Sequence, residues 1–321
     1  MASKKELQFG APIPQVFFDG KPDMELVKNT AQRAEELGFH SLWVQDQVAG
    51  YVPLLESVGL MTYASAITTR VKLGVSVIVF PVRNPVQLAK NIATLDLMSN
   101  GRAILGIGLG PVYQSAYFEP FGMTAGQALR RFNEGLAIMK SLWTQHSTDL
   151  DGEFYTLHET GLEPKPIQKP HPPVWIGGRH PNALRRSVRH GDGYLGSGPT
   201  STENFGKHVE LVRQYLDEEG RDPATFPISK RVYLALDKNE RRAKARMDEF
   251  MGQRYPWIIE NRPDFVNEIA ALGSPESMVE QLAQVVDKGA ELIVLNPLWD
   301  FVEQLEALTE EVIPQLRQLV G

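Results

Sequence analysis

Residues 73–110 constrain the fold of this chain more than any other stretch, because they combine two apolar runs with a helical pattern between them. Residues 73–80 are mostly β-branched and other apolar side chains, which is typical of a strand buried on both faces of a parallel sheet. Pro85 suits the first turn of a helix, and Gly101 suits its end. Residues 103–110 are a second apolar run. The stretch therefore predicts a βαβ unit whose chemistry lies at its strand ends.

The same alternation of strand and helix continues along the chain. Further strands are predicted at residues 7–12, 39–44, 174–176, 193–195, 228–236 and 290–295. Each is followed by a helical pattern, and eight strands that are each followed by a helix predict an α/β fold, the (β/α)8 TIM barrel. Because barrels of this size commonly form one domain, we expect a single domain over residues 1–321.

Three insertions interrupt the repeat, at about residues 111–124, 147–173 and 251–272. The first carries four aromatic side chains without periodicity, so we expect either a long loop over the barrel mouth or a small packed core. The second is rich in proline, and its residues 154–157 predict one arm of a hairpin. The third contains Trp257 and Pro263 and departs from the repeat, and we expect a lid or a dimer contact there.

Composition excludes several classes of protein. The chain is 42% hydrophobic and 22% charged, an ordinary globular balance, and its net charge of -6 argues against a nucleic-acid or anionic-membrane surface. The absence of cysteine excludes disulfides, thiolate nucleophiles and cysteine metal sites. The first residues lack the apolar region of a secretion signal, and no run is long enough to span a bilayer. We therefore expect a cytoplasmic protein that binds neither nucleic acid nor membrane.

Several catalytic motifs are also missing. The glycines of residues 106–110 suggest a dinucleotide fingerprint, but Pro111 and the residues after it do not open a helix with the required third glycine. No His, Asp and Glu cluster has the spacing of metal ligands, so we expect no metal, and no nucleophile elbow or Walker loop is found. Arg102 is expected to make a structural ion pair at the start of its strand.

Polar or flexible residues follow the predicted strands, where a barrel places its active site. Asp46 and Gln47 come directly after a buried strand. Ser76 lies inside an apolar strand, and taken alone its hydroxyl is expected to bond a neighbouring carbonyl. The glycine turn at residues 177–179 precedes a helix, so its amides and the helix dipole can hold a phosphate.

Two blocks of the sequence resemble the luciferase-like flavin and deazaflavin oxidoreductases. The first comprises residues 84–95, Ser99-Asn100-Gly101-Arg102 and Leu105-Gly106-Ile107-Gly108. The second comprises residues 172–178 followed by Gly191-Asp192-Gly193-Tyr194. The blocks occur in the order of that family, the resemblance covers most of the chain, and it is greatest to the coenzyme F420-dependent branch. It implies the same TIM-barrel fold.

The resemblance implies where a deazaflavin ring would lie. In the F420-dependent branch a Ser-Val pair forms a cis peptide bulge behind the ring, which would place Ser76 and Val77 there. Asp46 matches an acidic residue that contacts the ring, and Gln47 stands where relatives have a histidine proposed as general acid/base. Gln114 falls where relatives place an asparagine near the ring.

The resemblance also implies a site for the cofactor phosphate. It would be held by the turn Gly177-Gly178-Arg179, together with Ser197 and Thr200 in the turn after the next strand. A lysine that is frequent at the Thr200 position in glucose-6-phosphate-type enzymes is missing. We therefore expect Arg179, or neutral donors alone, to hold the phosphate.

The activity that the resemblance implies is hydride transfer between coenzyme F420 and a small organic substrate, with Asp46 and Gln47 as the candidate catalytic residues. The alternative is an FMN-dependent monooxygenase that uses reduced flavin, dioxygen and a partner flavin reductase. Against it, Leu109 stands where the flavin luciferases have a phosphate-binding arginine. A third possibility is a cofactor-binding protein without catalysis, because the amide of Gln47 cannot exchange a proton as histidine does. Relatives are often homodimers, and we expect one here.

Overall fold

A computed structural model describes residues 6–262 and 264–320 of the chain. Its strands, in chain order, are β1 (Gln8–Pro12), β2 (Ser41–Val44), β3 (Lys72–Val75), β4 (Ile78–Val79), β5 (Ala103–Gly108), β6 (Thr148–Asp151), β7 (Thr156–Thr160), β8 (Val174–Gly177), β9 (Gly193–Gly196), β10 (Ile228–Leu236), β11 (Ala270–Gly273) and β12 (Leu292–Asn296). Its α-helices are α1 (Met24–Glu36), α2 (Ser57–Ile67), α3 (Pro85–Met98), α4 (Ala128–Thr144), α5 (Pro181–His190), α6 (Thr202–Glu218), α7 (Glu240–Arg254), α8 (Pro256–Asn261), α9 (Phe265–Ile269), α10 (Pro275–Asp287), α11 (Phe301–Ala307) and α12 (Ile313–Val320).

Eight of these strands close into a parallel barrel. The order around the barrel is β1, β2, β3, β5, β8, β9, β10 and β12, and β12 pairs with β1 to complete the circle. Helices on the outside connect successive strands. The predicted (β/α)8 barrel is therefore confirmed.

Two tryptophans fill the inside of the barrel. Trp43 of β2 and Trp175 of β8 lie with ring centroids 5.7 Å apart. A Cβ at Gly74 of β3 would lie 2.5 Å from the Trp43 ring, and one at Gly193 of β9 would lie 2.9 Å from Trp175 Nε1. Glycine on neighbouring strands thus makes room for each indole, as close packing requires. Because the interior is filled, a ligand must bind at the barrel's end.

Helix signals in the sequence correspond to caps in the structure. Asn84 caps α3, because its Oδ1 accepts from the N–H of Val86 at 3.0 Å, with Pro85 in the first turn. Ser274 caps α10 in the same way, accepting from Ser277 N at 3.4 Å. These caps fix the point at which each helix leaves its strand.

Two insertions have the predicted character and one does not. Residues 111–124 form short 3-10 turns around a small core of Phe118, Met123 and Ala128, so they combine the expected loop with the expected packed core. Strands β6 and β7 form the expected hairpin outside the barrel. Residues 253–272, predicted to be irregular, instead contain α8, α9 and β11, and β11 extends the sheet beside the outer half of β10.

The strand β11 was missed because four residues are too few to show a period, and because it pairs with a part of β10 that extends beyond the barrel ladder. Pro263 and the side chain of Trp257, for which a lid or dimer contact was predicted, lie outside the described residues. No helix in the described ranges has the length and apolar character needed to cross a membrane.

Arg102 is structural, but the predicted ion pair is wrong. Its guanidinium donates to the carbonyl oxygens of Ser65, Thr68, Val71 and Ser99 and to the Thr68 hydroxyl, at 2.7–3.0 Å. The last carbonyls of a helix lack partners within the helix. Arg102 therefore satisfies the end of α2 and needs no carboxylate.

Candidate functional site

A cavity of about 1490 Å³ opens at the carboxyl ends of the barrel strands. Ordinary small-molecule pockets measure about 300–1,000 Å³, so this one has room for a large cofactor and a substrate. Nine of the ten predicted site residues line it, namely Asp46, Gln47, Ser76, Val77, Gln114, Gly177, Gly178, Arg179 and Ser197. The tenth, Thr200, is buried outside the cavity wall, and its hydroxyl has no hydrogen-bond partner among the described residues.

Ser76 and Val77 interrupt the strand that was predicted at residues 73–80. The peptide bond between them is cis, as the resemblance implied. The Ser76 N–H donates to the Val44 carbonyl at 2.9 Å. Within the described part of the chain the Ser76 hydroxyl bonds no carbonyl, so the expectation drawn from the residue alone is wrong, and Ser76 is part of the cavity lining.

The glycines of β5 accommodate this interrupted strand. A Cβ at Gly106 would overlap the Val75 carbonyl oxygen, and one at Gly108 would lie 2.6 Å from Val77 Cγ2. On the other neighbour, a Cβ at Gly177 would lie 2.9 Å from Val77 Cγ1. The alternating glycines that suggested a nucleotide fingerprint therefore seat the Val77 side chain between β5 and β8.

The Asp46 carboxylate accepts hydrogen bonds from three other segments of the chain. Its side chain is 0% exposed, and its Oδ1 accepts from Arg83 Nη2 at 2.6 Å and from the Ser57 hydroxyl at 2.9 Å. Its Oδ2 accepts from the Val79 N–H at 2.9 Å. Because both oxygens are bonded to protein donors, the carboxylate positions β4 against α2, which the sequence did not predict.

The Gln47 side chain packs against Gly50. Its Nε2 donates to the Ala49 carbonyl at 3.3 Å, and a Cβ at Gly50 would overlap the Gln47 amide. Gly50 has a φ of +154°, which only glycine adopts readily. Gln47 thus presents a neutral amide to the cavity, at the position where the resembling enzymes have a histidine.

The glycine turn after β8 packs closely on α5. A Cβ at Gly178 would lie 2.5 Å from Ala183 Cβ, and the Tyr194 hydroxyl donates to the Gly178 carbonyl at 3.0 Å. Arg179 is exposed, and its Nη1 lies 3.5 Å from the Pro199 carbonyl oxygen. The two turns predicted to bind phosphate are therefore adjacent.

Lys230 of β10 is a site residue that the sequence did not indicate. It is 2% exposed, and its Nζ donates to the carbonyls of Ser197, Gly198 and Arg231 at 2.6, 3.2 and 2.9 Å. Burial, with a smaller contribution from the positive charge of Arg231, lowers the pKa of Lys230 to about 7. Lys230 thus supports the turn in which Thr200 replaces the lysine that is frequent in glucose-6-phosphate-type enzymes. Its only signal was a charged residue inside an apolar strand.

Two further arginines were also missed. Arg231 of β10 and Arg254 of α7 line the cavity with Tyr233 and Tyr255. Arg254 Nη2 donates to Gln45 Oε1 at 2.8 Å. Folding brings them together from distant segments, so no local motif could identify them.

Known proteins resemble this chain along most of its length. A family model described as luciferase-like monooxygenase matches residues 13–292. The F420-dependent glucose-6-phosphate dehydrogenase of Intrasporangium calvum is 27% identical over 92% of this chain and 95% of that protein. An F420-dependent secondary alcohol dehydrogenase, solved with an F420-acetone adduct, is 19% identical with a TM-score of 0.82, over 97% of this chain and 99% of that one. The oxygenating constituent of 3,6-diketocamphane monooxygenase of Pseudomonas putida, solved with FMN, is 17% identical with a TM-score of 0.78, over 97% and 98%.

Proposed function

Since this chain belongs to the luciferase-like monooxygenase family, we propose that it is an oxidoreductase that transfers a hydride between coenzyme F420 and a small organic substrate. The observation that carries the proposal is the cavity at the barrel mouth, which gathers nine of the ten residues that the resemblance implied. A dehydrogenase named for F420 is among the relatives that match almost the whole chain.

The residues of the cavity fit such a cofactor. Val77, seated between Gly108 and Gly177, and the Ser76 hydroxyl would form the wall behind the ring. The Gly177-Gly178-Arg179 turn and Ser197 would hold the phosphate, with the amino group of Lys230 behind them. When bound, the deazaflavin supplies the hydride chemistry.

The chain's own residues would orient the reactants and would not exchange a proton at Gln47. Asp46 would keep the ring wall in place through Val79 and Arg83. The Gln47 amide can donate and accept hydrogen bonds but does not ionise. Any proton that the reaction needs would come from water or from another group in the cavity.

An FMN-dependent monooxygenase is the second candidate, and the fold neighbour solved with FMN supports it. Leu109 lines the cavity at the position for which the resemblance implies an arginine in flavin luciferases. A flavin phosphate would therefore lack that contact here, which favours the deazaflavin.

Two assays that follow cofactor absorbance test for activity. Oxidised F420 is mixed with a panel of alcohols to detect its reduction, and reduced F420 is mixed with enones and imines to detect its oxidation. Wild-type turnover supports the proposal. Gln47→His addresses the third possibility, a protein that binds the cofactor without catalysis. We expect wild type to turn over and Gln47→His to change the pH profile. Turnover by Gln47→His alone would show that the wild-type chain has lost catalysis.

A further inference from the structure

Two buried guanidinium groups of the cavity have unused donors. Arg231 is 4% exposed and Arg254 is 9% exposed. The Nε and Nη2 atoms of Arg231 and the Nη1 atom of Arg254 are buried and make no hydrogen bond within the described residues. Buried cations are normally paired, because an unpaired charge away from water is costly.

Among the residues that the structure describes, no carboxylate is paired with either charge. In the described ranges neither arginine lies within ion-pair distance of a carboxylate, and Asp46, the acidic residue of the described cavity lining, is bonded to Arg83. The Gln45 amide that accepts from Arg254 is neutral. Burial raises the pKa of Tyr233, so its phenol is neutral as well.

Both arginines lie at the cavity wall, with their unused donors buried just behind its surface. Both line the large cavity and a neighbouring pocket of about 40 Å³, and both lie beside Tyr233 and Tyr255. The Arg254 guanidinium lies over the Tyr255 ring, 5.4 Å from its centroid. The Tyr255 ring thus packs against the guanidinium, whose planar fork matches a carboxylate or a phosphate.

We propose that Arg231 and Arg254 bind an anionic group of the organic substrate, a carboxylate or a phosphate, so that the substrate is an organic acid or a phosphate ester. This inference rests on the proposed function for the identity of the cavity. The same chemistry would also suit the phosphate of the cofactor, and the experiment separates the two sources.

The first measurement is titration of the cofactor-free protein with inorganic phosphate and with acetate, at constant ionic strength set with chloride. We expect saturable binding of at least one of the two, weakened about tenfold or more in Arg254→Gln because a charge-assisted bond is lost. Arg241→Gln is the matched control, since Arg241 is exposed on the same helix. Equal binding by wild type and Arg254→Gln would overturn the proposal.

The second measurement is fluorescence titration of the same variants with F420. We expect Arg254→Gln to bind the cofactor within about twofold of wild type. A tenfold loss of F420 affinity would assign the arginines to the cofactor and overturn the proposal. If wild type itself fails to bind F420, the proposed function fails, while the phosphate and acetate titration still reports on the arginine site.

Arg231→Met provides a readout that does not depend on a ligand. Replacing an uncompensated buried charge with an apolar side chain stabilises proteins when the charge serves binding. We expect this variant to unfold at a higher temperature than wild type in chloride, and to gain no stability from phosphate. A lower unfolding temperature would show that Arg231 holds the fold together and would contradict the inference.

Discussion

Charged residues on adjacent positions of β10 have different tasks. Lys230 donates to the Ser197 and Gly198 carbonyls, and it fixes the turn that we assign to the phosphate. Arg231, the next residue, lines the cavity and keeps unused donors. Successive side chains of a strand point to opposite faces, so one strand both supports the site and presents a charge to its ligand.

Burial of Lys230 predicts a pH-dependent stability. Its pKa is about 7 in the folded protein, against an ordinary 10.5. Between these values the unfolded chain binds a proton that the folded chain does not, so the free energy of unfolding rises with pH. From about pH 7 to about pH 9 wild type should gain about 2 kcal/mol relative to Lys230→Met in urea unfolding. Parallel pH dependences of the two proteins would contradict this.

The Asp46 carboxylate is expected to contribute to stability through Arg83 and Val79. Asp46→Asn removes the charge from a side chain that is 0% exposed and leaves the Arg83 guanidinium, 19% exposed, without its closest partner. We expect a loss of about 1 to 3 kcal/mol in urea unfolding. Glu56→Gln is the control, because Glu56 pairs with the same arginine but is 48% exposed, and it should cost less than about 1 kcal/mol. Similar losses in both variants would refute a special role for Asp46.

At the scale of elements, the site depends on glycines that let three strands approach one another. Gly108 of β5 and Gly177 of β8 flank the Val77 side chain. The wall behind the proposed ring is thus set by the absence of side chains on two neighbouring strands. A cavity wall made in this way tolerates no added volume.

Gly108→Ala tests this packing. Its Cβ would lie 2.6 Å from Val77 Cγ2, so β5 or the Val77 side chain must move, at a cost of about 1 to 3 kcal/mol. Gly126→Ala is the control, because the nearest atom to its Cβ would be 3.9 Å away, and it should be neutral. The unfolding temperatures of both variants are compared with wild type by calorimetry. Unchanged stability of Gly108→Ala would mean that the wall adjusts to added volume, contrary to our inference.

Sequence patterns predicted those helices and strands whose burial and ends can be inferred from their own residues. The apolar run at residues 103–110 became β5, and the cap at Ser274 began α10. The apolar pattern alone did not show that residues 73–80 divide into β3 and β4, because both parts are equally apolar, and only the resemblance implied a bulge at Ser76 and Val77. Lys230, Arg231 and Arg254 escaped prediction since their roles depend on which turns and loops the closed barrel brings to them.

At the scale of the whole molecule, charge is distributed unevenly. The chain carries a net charge of -6, yet the cavity is lined by Arg179, Arg231 and Arg254, and its one acidic residue among the described lining, Asp46, is paired with Arg83. A positive mouth on an acidic protein attracts anions selectively. This distribution suits an anionic cofactor and the acidic substrate inferred above.

Parallel titration of the cofactor-free protein with F420 and with FMN, followed by cofactor fluorescence, tests most directly which cofactor the cavity binds. We predict saturable binding of F420, with FMN bound at least about tenfold more weakly because its phosphate lacks an arginine at Leu109. Selective binding of FMN would contradict the assignment of this cavity to a deazaflavin and would indicate oxygen chemistry with a partner reductase.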